Sequence, residues 1–144
     1  MIEQDTIKLL RECDAGIQMG ISSIDDVMEH VKSPTFRHHL SRCKDEHDAL
    51  KTEIQAALGR FGDRGKQPNP MASAMSWVKT SVMLGLSDKD KTVADLMTDG
   101  CNMGVKSLSR YLNQYEAADE NAKDIAKRLI KLEAQLGENI RDYL

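Results

Sequence analysis

Residues 17–28 read IQMGISSIDDVM and residues 101–112 read CNMGVKSLSRYL. Set against each other 84 positions apart, Met19, Gly20 and Ser23 recur as Met103, Gly104 and Ser107. Gln18/Asn102, Ile21/Val105, Ile24/Leu108 and Met28/Leu112 are near-matches in the same frame. Apolar residues three and four apart mark both stretches as helical. A helical segment that occurs twice predicts a chain built from two related halves.

Working outward from the first copy, Ile7, Leu10, Ile17, Ile21, Ile24, Met28 and Val31 form one apolar seam, with Asp14 on the same line. The spacing predicts a helix over about 3–31. Ser33-Pro34 supplies an N-cap and a proline at the first helical position. A second helix over about 34–58 then carries Phe36, Leu40, Cys43, His47, Leu50, Ile54 and Ala57, with Gly59 and Gly62 as stops. Residues 59–70, GRFGDRGKQPNP, read as a loop. A short helix over about 71–84 and a long one over about 88–115 follow, the latter opened by Ser87 and Asp90 in a capping-box-like start. Asp119 can cap a last helix over about 120–143 with an apolar row from Ala122 through Ile125, Leu129, Leu132, Leu136 and Ile140 to Tyr143.

Each long helix spans roughly 40 Å. The turns at 32–34 and 116–119 are short, which predicts two antiparallel hairpins. The connection over 59–87 is long enough to cross the bundle from end to end. Helix four matches helix two 86 positions on, pairing Arg42 with Arg128, Leu50 with Leu136 and Ile54 with Ile140. His47 and Glu133 are equivalent in that frame.

The totals agree with one all-α domain over residues 1–144. Leu, Ile, Met, Ala, Lys and Glu dominate, and aromatic residues make up 4%. A net charge of −3 and the absence of a basic stripe speak against nucleic acid. No apolar stretch reaches membrane-span length, so no membrane association is expected. The opening MIEQDTIKLL lacks the basic and apolar regions of a signal peptide. With three widely spaced cysteines, Cys13, Cys43 and Cys101, and no Cys-x-x-Cys, it predicts reduced thiols in a cytoplasmic protein.

Met19-Gly20, Val31-Lys32-Ser33-Pro34, Pro70-Met71-Ala72 with Met75-Ser76-Trp77, and Asn102-Met103-Gly104 resemble a group of bacterial ferritin-like proteins distantly related to rubrerythrins. The resemblance covers most of the chain. It implies the ferritin-like fold: a four-helix bundle of two hairpins joined by a long crossover. It also defines where a di-metal centre would sit. Such a centre needs about six inward ligands, one Glu from each of two helices and a Glu-x-x-His from each of the others. In the rubrerythrin-like pattern the helix-one Glu directly follows a glycine. Here that position is Ile21, and its repeat partner is Val105. The two Glu-x-x-His motifs become His47-Asp48-Ala49-Leu50 and Glu133-Ala134-Gln135-Leu136. Ile21, Leu50, Val105 and Leu136 cannot coordinate a cation and are expected to pack the bundle centre. The di-metal site is lost on this reading, no enzyme activity is expected, and no cofactor is needed.

His47 and Glu133 remain, and unless Glu133 simply points to solvent, two readings are open for them. One is a reduced site for one divalent metal ion, with Cys43 or Asp14 joining. The other is a hydrogen-bonded or ion-paired contact in an apolar core. His38-His39 lies on a charged stretch and reads as surface. Gly20 and Gly104 each cost about 1 kcal/mol against alanine inside a helix, which predicts a shared packing reason, the close approach of helices one and three. Met71, Met75, Trp77 and Met83 on the crossover form a soft apolar set suited to covering the core or docking another subunit. Many ferritin-like bundles associate, so the resemblance implies a homodimer. The expected function is a non-catalytic bundle acting through self-association or a protein partner.

Overall fold

The computed structural model describes residues 2–66 and 89–144. Among them there is no strand. Four long helices form: α1 (Ile2–Met28), α2 (Pro34–Gly59), α3 (Asp90–Gln114) and α4 (Glu120–Asn139), followed by a 3-10 turn at Arg141–Tyr143. The short helix expected over 71–84 lies outside the described residues, as do Ser87 and the partner-surface residues Met71, Met75, Trp77 and Met83.

The helix ends follow their capping chemistry. Ser33 is extended, its hydroxyl accepts from the Phe36 amide, and Pro34 occupies the first turn of α2. Asp119 caps α4 through the Ala122 amide at 2.8 Å. α1 stops at Met28, three residues before the expected end. His30 and Val31 donate to Val27 and Met28 in a tightened last turn. α3 starts at Asp90 without a side-chain cap, and the Asp90 carboxylate instead accepts from the backbone amides of Lys32 at 2.7 Å and Ser33 at 2.9 Å. α4 ends at Asn139 instead of 143, and the chain tightens into the 3-10 turn.

α1 pairs most extensively with α2, and α3 with α4, while α1 also packs against α3 and α4. The core falls into two apolar clusters. One gathers Ile24, Val27, Phe36, Leu40, Val93, Met97 and Ile140 among others. The second gathers Leu9, Ile17, Ile54, Leu58, Ala122, Ile125 and Leu129 among others. On α1 the buried face is turned from the expected seam. Leu9, Cys13 and Val27 are fully buried, whereas Ile7, Ile21 and Met28 are half-buried. α1 packs against three helices, so its contact face is broader than a single seam.

Candidate functional site

His47 of α2 lies between the two clusters and is 1% exposed. Its Nε2 is 3.0 Å from Oε1 of Glu133 on α4, and its Nδ1 is 2.8 Å from the carbonyl oxygen of Cys43, one turn earlier. Both partners are acceptors, so a doubly protonated ring donates from both nitrogens and balances the Glu133 carboxylate. Burial opposes the charged ring, but the hydrogen bonds with Cys43 and Glu133 and the Glu133 charge outweigh it and raise the His47 pKa to about 10. The Cys43 Sγ sits 3.4 Å from Nδ1.

A stability trend follows from that shift. The folded-state pKa of about 10 lies above the unfolded value near 6.5, so the pair contributes fully below about pH 6.5, progressively less as pH rises, and nothing above about pH 10. Urea unfolding of wild type and His47→Gln at about pH 6, 8 and 10 checks this: the stability gap between them should shrink with each step. A gap that stays constant would contradict a charged His47.

The repeated glycines explain how the helices accommodate this pair. A Cβ added at Gly20 would sit 2.9 Å from His47 Nε2, 3.0 Å from its Cδ2 and 3.4 Å from Glu133 Oε1. A Cβ at Gly104 would meet Cδ, Cγ and Oε2 of Glu133, each at 3.4 Å. The glycines therefore face the pair, and the shared packing reason is the room the pair needs. This corrects the expectation for Ile21 and Val105. One residue on from each glycine, they are rotated about 100° around their helices and are half-buried, Ile21 still packing against the second apolar cluster, while Leu50 and Leu136 are buried in the core as expected.

With glycine at both inward positions, a cavity of about 320 Å³ opens between α1 and α3. Met19/Met103, Gly20/Gly104 and Ser23/Ser107, the residues identical between the two stretches, all line it. Gly16 and Gly100, a further match in the same frame that sequence reading passed over, line it too. His47 and Glu133 also belong to its wall.

The other candidate residues have other tasks. Asp14 is 1% exposed and accepts from Gln18 Nε2 at 2.9 Å, Gln55 Nε2 at 2.7 Å and the Lys66 amide at 3.1 Å. It anchors the chain that follows α2, and Gly65, at φ +92°, approaches so closely that a Cβ there would collide with the Asp14 carboxyl. The structure thus brings His47, Glu133 and Cys43 together, while Asp14 serves that anchor. Among the described residues, no group of three or more His, Cys, Asp or Glu side chains is arranged to hold a metal ion. Burial pushes the Cys13 thiol up to about 12 and raises Cys101 as well, with Glu133 adding to the effect on Cys101. Both stay protonated near neutrality and are poor nucleophiles. His38 is exposed and His39 half-buried.

No family model matches this chain, and no curated protein or solved structure matches it either. None of the described helices is long and apolar enough to cross a membrane.

Proposed function

We propose that the protein is a non-catalytic, cytoplasmic bundle of ferritin-like topology, with its metal centre replaced by a structural ion pair, acting through self-association or a protein partner. The observation that carries this reading is the His47–Glu133 contact. Both ring nitrogens of His47 are committed to acceptors, and the residues one turn beyond, Leu50 and Leu136, are aliphatic. The topology is supported by where the chain leaves and returns. Lys66 is held beside Glu12 and Asp14 in the first half of α1, whereas Asp90 holds Lys32 and Ser33 just past the other end of that helix. The two described points flanking residues 67–88 therefore lie at different levels along α1, as two hairpins joined by a long connection would have them. For association, Met103 on α3 offers an exposed thioether.

Elemental analysis of untagged protein tests the reading, with His47→Ala beside the wild type. The expected result is no stoichiometric metal in either. One tightly held ion per chain in the wild type alone overturns it, and favours a site for one divalent ion around His47, Glu133 and Cys43. Light scattering on the same sample should give twice the 16.1 kDa chain mass if the bundle dimerises.

A further inference from the structure

We propose that the cavity between α1 and α3 binds a neutral, largely apolar small molecule carrying a hydroxyl group, and that this hydroxyl donates to the Glu133 carboxylate. A volume of about 320 Å³ is of the size that holds small ligands. The inward glycines keep side chains out of that space, and Met19 and Met103 wall it with flexible, polarisable thioethers that adapt to an apolar guest.

The polarity of the ligand follows from the charges in the wall. His47 and Glu133 cancel each other, and so do Glu12 and Lys66, an ion pair in the same lining. A ligand with net charge would lose its hydration and find no unpaired counter-charge among the described lining residues. A pure hydrocarbon fits less well for the opposite reason. Glu133 lines the cavity and retains 13% of its side-chain exposure after pairing with His47. Covering that carboxylate with an apolar surface would strip its remaining hydration without replacing it, whereas a hydroxyl restores a charge-assisted hydrogen bond. The site shares Glu133 with the ion pair of the proposed function and so rests on that reading, but elemental analysis reads the metal and titration reads the cavity, so either can fail alone.

The experiment is a calorimetric titration of the full chain with 2-naphthol and, in parallel, with naphthalene. Wild type should bind one 2-naphthol per chain saturably, and on the order of tenfold more tightly than naphthalene, the size of a hydrogen bond to a charged group. Gly100→Leu should weaken both ligands at least tenfold. A Cβ at Gly100 meets nothing within 4 Å among the described residues, and replacing a helical glycine favours α3, so this variant retains its fold. Glu133→Gln should bring the two ligands to comparable affinity. The proposal is overturned by the absence of saturable binding, by undiminished binding in Gly100→Leu, or by equal affinity of wild type for 2-naphthol and naphthalene.

Discussion

Glu133→Ala is expected to destabilise the protein by about 3–5 kcal/mol, the range found when one member of a buried ion pair is removed. The reason lies with the partner left behind. His47 is 1% exposed, and its Nε2 would lose the Glu133 carboxylate that lies 3.0 Å away. Desolvation would then act unopposed by Glu133, and the ring would give up its proton. Two readouts follow. Thermal or urea unfolding reports the lost stability. A proton NMR titration of the His47 ring should show its pKa falling from about 10 toward or below the free-histidine value. The double variant His47→Leu/Glu133→Leu should recover much of the loss, since replacing a whole buried pair with apolar groups is often neutral. A single-variant cost under about 1 kcal/mol would show that the contact is not structural.

Phe36→Ala should cost a similar amount, about 3–5 kcal/mol, by another mechanism. Phe36 is fully buried, its ring is stacked on Tyr143 with centroids 4.5 Å apart, and it belongs to the cluster holding Ile24 and Val27 of α1, Val93 of α3 and Ile140. One side chain thus ties the first turn of α2 to both other regions of the chain. Loss of the ring should lower the melting temperature by roughly 8–16 °C. A change of a degree or two would mean that the site collapses around the deletion.

Several of these features are legible in the sequence, and the misses have identifiable physical causes. Ser33-Pro34 and Asp119 were readable as helix starts because capping is decided by a few adjacent residues. The equivalence of His47 and Glu133 was readable because the 86-residue frame sets them level. What Gly20 does was not, because a glycine gives no sign of what occupies the space it leaves, and the nearest atoms belong to α2 and α4. Both the apolar seam of helix one and the analogy with a ligand position place Ile21 inward. A one-residue error in a helix turns the assignment by about 100°, enough to exchange a wall of isoleucine for a cavity. Asp14 shows a different limit. Its partners include the backbone amide of Lys66, and a main-chain donor has no signature in residue identity.

The division of the core also bears on how the protein opens. One apolar cluster holds Ile24, Phe36, Met97 and Ile140, the other Leu9, Ile17, Leu58 and Ile125, and the hollow, charged level around His47 and Glu133 lies between them. The two sets are separate clusters among the described residues, so each can behave as its own cooperative unit with its own opening free energy. Amide hydrogens should then exchange in two groups, those of helical turns beside Ile54 and Ile125 at one rate and those beside Phe36 and Val93 at another. A molecule seated at the hollow would touch both units at once and draw their exchange rates together.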